Sequence, residues 1–155
     1  MELDIPGFGT LHLQHLVTDY TGTLSVDGSL LPGVAELLAE LGQSLTVHVL
    51  TADTFGKARV ELAGVACAIH ILSGSDVAEQ KERYIGALGA DKVVAVGNGN
   101  NDRLMLKAAR LGIAVIEGEG CAVSALVNAD IAVRNINEAL GLLTNPKRSL
   151  ATLRY

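Results

Sequence analysis

The chain has 155 residues, 49% of them hydrophobic, 3% aromatic and 19% charged, with no tryptophan and a formal net charge of -5. That length fits a single domain, expected to span residues 1–155, and is enough to bury about two-thirds of the surface the unfolded chain exposes. The acidic balance and the lack of a dense Lys/Arg cluster argue against nucleic acid or an anionic membrane as the main partner.

With so few aromatics the core must come from Val, Leu, Ile and Ala, which suits a sheet covered by helices. Mean hydropathy is high at +0.35, yet polar residues or glycines break every apolar stretch before the roughly 18 residues a membrane-spanning helix needs. No basic start followed by an apolar stretch marks a secretory signal, so a soluble, cytoplasmic protein is expected. Cys67 and Cys121 lack metal-ligand spacing and read as reduced, structural residues.

In chain order, residues 2–15 read as a hairpin around Pro6-Gly7-Phe8-Gly9. His12 and His15 have no third ligand nearby and read as solvated strand residues, not a metal pair. The apolar run His15-Leu16-Val17-Thr18 then ends abruptly in Asp19-Tyr20-Thr21-Gly22-Thr23-Leu24. Asp27-Gly28 marks a tight turn, and Pro32 opens a helical pattern through Val34, Leu37, Leu38 and Leu41, which Gly42 stops. Thr46 to Leu50 is a second strand ending in Thr51-Ala52-Asp53, where Asp53 is placed to cap a helix from about Thr54 to Leu62.

Ala66 to Ile71 supplies a third strand. A helix capped by Ser75 or Asp76 then runs to about Leu88, with Lys81 in its second turn. Lys92 to Val96 is a fourth strand, leading into Gly97-Asn98-Gly99-Asn100-Asn101-Asp102 and a helix to Leu111. Strands at 113–116 and 131–133 flank a small helix near 122–128, and a helix at 138–143 is expected to end at Pro146. Strands alternating with helices point to a mainly parallel sheet with right-handed crossovers and helices on both faces, a three-layer Rossmann-like α/β fold.

In such a sheet ligands sit beyond the carboxyl ends of the strands. Three strand ends carry small polar clusters: Asp19/Thr21, Thr51/Asp53 and Asn98/Asp102. Asp19, Asp102, the Asn98 amide oxygen and a backbone carbonyl are the hard oxygen donors that Mg²⁺ accepts. Thr51 and the glycine-flanked amides after Asp19 can donate to a phosphate, which Lys81 can neutralise. Metal, phosphate donors and a carboxylate together suggest phosphoryl transfer with Asp19 as nucleophile.

Asp19-Tyr20-Thr21-Gly22-Thr23-Leu24 resembles the first motif of the haloacid dehalogenase (HAD) superfamily, Thr51 its second, Lys81 its third and Gly97–Asp102 its fourth. The nearer resemblance is to the phosphorylation domain of P-type ATPases, with their Asp-Lys-Thr-Gly-Thr, Thr-Gly-Asp and Gly-Asp-Gly-x-Asn-Asp motifs. The resemblance implies a HAD-like fold and a Mg²⁺-dependent phosphatase working through an aspartyl-phosphate on Asp19 and acting on a phosphorylated substrate whose identity the sequence does not name. It places Asp19, Thr21 and Lys81 in catalysis, Gly22, Thr51, Ala52 and Lys81 around the phosphate, and Asp19, Thr21, Asn98 and Asp102 around the metal. The interval between Asp19 and Thr51 is too short for a pump's nucleotide-binding insert.

Three departures qualify this. Thr21 stands where most phosphatases of the superfamily carry a general acid/base Asp, so slow turnover is expected. Asn98 replaces a frequent Asp and should weaken the metal site, leaving Asp102 as its main acidic partner. Tyr20 stands where the pumps have Lys, and the sequence assigns it no role. A non-catalytic Mg²⁺/phosphate-binding regulatory or structural protein is the alternative. Residues 25–33 leave room for a short hairpin but no cap domain. The open site then suits a large substrate or a homo-oligomer that covers it, with the basic tail from Asn145 to Tyr155 as one docking element.

Overall fold

The computed structural model describes residues 1–155. Its elements are β1 (Glu2–Ile5), β2 (Gly9–His12), β3 (His15–Thr18), β4 (Ser25–Val26), β5 (Ser29–Leu30), α1 (Val34–Leu41), β6 (Thr46–Thr51), α2 (Ala58–Glu61) and β7 (Ala68–Ile71). They continue through α3 (Val77–Leu88), β8 (Val93–Gly97), α4 (Arg103–Ala108), β9 (Leu111–Val115), α5 (Val123–Leu126), β10 (Ile131–Val133), α6 (Ile136–Thr144) and α7 (Pro146–Leu153).

Six strands pair in the order β10-β9-β8-β3-β6-β7, all parallel, with β3 and β8 buried in the middle. Period-2 alternation divides the core. Leu16, Val47, Val49, Val94 and Val96 face α1, α2 and α6, whereas Val17, Leu50, Val93 and Ala95 face α3, α4 and α5. The chain leaves β3 toward β6 on one side and later reaches β8 on the other. The carboxyl ends of β3 and β8 therefore form the crevice at the switch point of this sheet.

Between β3 and β6 there is no cap domain, only the β4–β5 hairpin and α1. Asp27 (φ 52°) and Gly28 (φ 76°) make its left-handed two-residue turn. The hairpin is pinned: the Tyr20 hydroxyl donates to the Gly28 carbonyl at 2.7 Å, Glu61 accepts from the Leu30 amide at 2.9 Å, and Glu119 accepts from the Asp27 amide at 2.8 Å. Tyr20, fully buried, thus braces the flap above the site.

Several boundaries differ from the sequence expectation. Asp53 does not cap a helix at Thr54; it takes a left-handed φ of 48°, and its carboxylate accepts from the Lys57 and Ala58 amides, so α2 starts four residues late. α6 ends at Thr144, just ahead of Pro146 as expected, and Pro146 then opens α7 as its first residue, where its missing N–H costs nothing. The basic tail folds back on its own hairpin, the Tyr155 amide donating to the Pro6 carbonyl at 3.1 Å. No helix is long and apolar enough to cross a membrane.

β9 crosses the end of α4 so closely that a Cβ on Gly112 would collide with the Leu106 carbonyl. Gly112→Ala is expected to destabilise the fold by about 1–3 kcal/mol, the usual range for overpacking. Chemical denaturation at unchanged m-value checks this.

Candidate active site

Apart from Lys81, which lies inside α3, the site residues stand at or just beyond the ends of elements that the core positions. Asp19 follows β3 directly, its amide donating to the Val96 carbonyl of β8 at 3.0 Å. Thr51 closes β6, Asn98 follows β8, and Asp102 ends the 3-10 turn Asn100–Asp102. Lys81 reaches in from α3, whose buried stripe also holds Ala78 and Ile85.

The Lys81 ammonium lies 2.7 Å from Asp19 Oδ1 and 2.6 Å from Asp102 Oδ1, and all three side chains are buried. Asp102 Oδ2 accepts from the Asn98 amide at 3.0 Å and the Gly99 amide at 2.8 Å, so both its oxygens are engaged. The cation that Asp19 and Asp102 share is therefore the lysine. Asp102 was expected as the main acidic partner of a metal; here Lys81 and two amides take its oxygens, and neither it nor Lys81, expected beside the phosphate, lines the cavity.

The cavity in front of Asp19 has a volume of about 190 Å³ and is lined by Asp19, Thr21, Thr51, Ala52, Asn98 and Asn101, among others. Asp19 Oδ2 accepts no side-chain hydrogen bond, while the Thr21 hydroxyl is buried without a partner. The backbone amides of Thr21 and Ala52 donate to no protein group. Thr51 Oγ1 accepts from the Asp53 amide at 2.9 Å, leaving its own proton free to donate. Asn98 is fixed on both arms: its oxygen accepts from the Thr23 hydroxyl at 3.0 Å and its nitrogen donates to the Gly120 carbonyl at 3.0 Å.

Gly22, expected beside the phosphate, is not among the cavity residues, and its amide donates to the Ser25 carbonyl. Its place is structural. Its φ is 74°, and a Cβ there would lie 2.5 Å from the Asn98 side-chain nitrogen. His15, expected as a solvated strand residue, is half-buried and bonded to His48, a contact that neighbouring residues in the sequence do not announce.

Burial, then the nearby Asp102 carboxylate, raise the Asp19 pKa from 3.8 to about 7, against the opposing pull of Lys81. Burial alone would lower the Lys81 pKa, but the two carboxylates outweigh it and hold it above the usual lysine value. Two carboxylates around one ammonium leave a net negative charge that a cation can offset. The oxygens of Asp19 and Thr21 at the cavity are of the hard type that Mg²⁺ takes, and the Asn98 oxygen beside them already accepts from Thr23.

A carboxyl whose pKa is raised on folding binds its proton more tightly in the folded state, so stability falls as pH rises between 3.8 and about 7. In EDTA the wild-type protein is expected to lose thermal stability across that window. Asp19→Asn should flatten the profile and be the more stable protein at pH 8, which calorimetry checks. Lys81→Met, leaving two buried carboxylates face to face, is expected to cost about 3–5 kcal/mol at neutral pH and less in acid, where they protonate.

No family model matches the chain. An uncharacterised protein of Methanocaldococcus jannaschii is 52% identical over 63 residues, which are 41% of this chain and 68% of that protein. Among solved structures, 3-deoxy-D-manno-octulosonate 8-phosphate phosphatase from Moraxella catarrhalis, crystallised with magnesium, phosphate and KDO, superposes with a TM-score of 0.64 at 16% identity, over 92% of this chain and 94% of that one. The catalytic domain of a CPx-ATPase superposes with a TM-score of 0.60 at 27% identity, over 75% of this chain and 46% of that one. With its strand-end motifs gathered around one buried lysine, the chain has the haloacid dehalogenase-like fold, without a cap domain, that these phosphatases and the CPx-ATPase catalytic domain share.

Proposed function

We propose that the chain is a Mg²⁺-dependent phosphatase acting through an aspartyl-phosphate on Asp19. One observation carries the reading. Asp19 has one oxygen held by Lys81 and the other open to a polar cavity edged by the Thr51 hydroxyl and two unpaired backbone amides.

In this reading the Thr21 and Ala52 amides and the Thr51 hydroxyl hold the phosphoryl oxygens, while Lys81, buried outside the cavity lining, holds the other oxygen of Asp19. Asp19 Oδ2 attacks phosphorus in line with the departing oxygen, and water later cleaves the acyl-phosphate. Asp102 keeps Lys81 charged and in place. Asp19, Thr21 and Asn98 would hold Mg²⁺, which when bound offsets the repulsion between the phosphate and Asp19. A cavity of about 190 Å³ with a mostly polar lining suits a phosphoryl group and leaves the leaving group at the open mouth.

The step without a dedicated group is proton transfer. Thr21 cannot protonate the leaving oxygen or activate water at neutral pH, so both half-reactions proceed without the roughly 10²- to 10⁴-fold that a positioned acid/base supplies. A Mg²⁺/phosphate-binding protein without turnover is the second reading, favoured by Thr21 and by an Asn98 amide tied on both arms.

Asp19→Asn is expected to abolish hydrolysis of an aryl phosphate in Mg²⁺. Retained activity would sink the mechanism, and a stable adduct of the wild type with beryllium fluoride and Mg²⁺ without any hydrolysis would favour the second reading. Thr21→Asp should raise kcat by roughly 10²-fold or more if acid/base help is what is missing, measured under saturating substrate.

A further inference from the structure

On the sheet face beneath α3, three of the chain's four histidines and a tyrosine form one hydrogen-bonded line. His15 Nδ1 lies 3.2 Å from His48 Nε2, His48 Nδ1 lies 2.9 Å from the Tyr84 hydroxyl, and that hydroxyl lies 2.9 Å from His70 Nε2. Strand register brings the histidines together. His48 pairs with Val17 of β3 and Ala68 of β7, so His15, His48 and His70 all project to one side.

The arrangement is a line and not a chelate. His48 uses its two ring nitrogens toward opposite neighbours, so no three donors converge on a point. Each of the three contacts needs one hydrogen. Three neutral imidazoles and a phenol supply them only when every bond runs the same way, from His15 to His70 or the reverse. In either polarity both nitrogens of His48 and the Tyr84 oxygen are satisfied, and a satisfied buried polar line fixes orientation more sharply than apolar packing does.

The line grips α3. Tyr84 stands three residues after Lys81, one helical turn along the same face. The helix is thus held at two levels, by Lys81 between Asp19 and Asp102, and by Tyr84 between His48 and His70. The bonds at its start are exposed: Asp76 makes no capping bond, Gln80 donates to the Ser73 carbonyl and to Asp76, and Arg83 pairs with Asp76. Without the second hold, the seat of α3 would rest on Lys81, on the packing of Ala78 and Ile85 and on those exposed bonds.

We propose that Tyr84, clamped by His48 and His70, is a positioning residue that sets the seat of α3 and thereby the place of the Lys81 ammonium between the two carboxylates. The proposal rests on the reading of Asp19 and Lys81 as reaction machinery. Tyr84→Phe removes the hydroxyl and keeps the ring. It is expected to lower kcat for an aryl phosphate about 10- to 100-fold, the scale of an ångström's misplacement, with KM within about twofold of wild type. His70→Gln, which breaks the outer contact alone, should move kcat in the same direction by less. His12→Gln, at an exposed histidine outside the line, should match wild type.

A crystal structure of the Tyr84→Phe protein reads the same claim without turnover. The Lys81 Nζ should leave its position 2.7 Å from Asp19 and 2.6 Å from Asp102. Wild-type kcat in Tyr84→Phe, or Lys81 unmoved in its structure, would overturn the proposal. If Asp19→Asn were to keep full activity, the mechanism would fall, and the displacement of Lys81 would still decide the role of Tyr84.

Discussion

The Lys81 ammonium between Asp19 and Asp102 is the constraint on which the rest of the site depends. It joins the end of β3, the turn after β8 and helix α3, three pieces far apart in sequence. Buried charges of this kind contribute little net stability, but removing one partner strands the others in a medium that does not solvate them. The fold is thereby committed to one arrangement of these elements. The same arrangement leaves Asp19 half-engaged, with one oxygen spent on the lysine and one facing the cavity, and it leaves the triad with one negative charge in excess. Structure and reactivity here have one source.

Around that triad the backbone does much of the remaining work. Asp102 spends its second oxygen on the Asn98 and Gly99 amides, so the carboxylate that anchors the lysine also shapes the turn carrying Asn98. Gly22 is needed where the Asn98 amide passes, and Tyr20, next to Asp19, holds the flap through Gly28. Asp53 pins the opposite lip by bonding the Lys57 and Ala58 amides from a left-handed backbone. The mouth is rigid without a cap domain.

Much of this was legible in the sequence. Apolar runs ending in small polar residues located β3, β6 and β8, their shared edge gathered Asp19, Thr51, Asn98 and Asp102, and the family resemblance added Lys81 from a helix. Alternation of strands and helices was enough for the parallel sheet. What escaped was decided by contacts between distant elements or by single backbone angles. Nothing local says that both oxygens of Asp102 are consumed, that the Gly22 amide is taken by Ser25, or that His15, His48 and His70 meet under Tyr84. The late start of α2 follows from the φ of Asp53, and α7 follows from Pro146 sitting where a helix tolerates it best.

The central claim is that phosphate passes through the Asp19 carboxylate. Acid-quenching the protein during turnover of an aryl phosphate in Mg²⁺, followed by peptide mass spectrometry, tests it most directly. The account predicts one acid-stable, hydroxylamine-labile phosphoryl group on the peptide containing Asp19. Turnover with that peptide unmodified, or with the phosphoryl group on another residue, would contradict it.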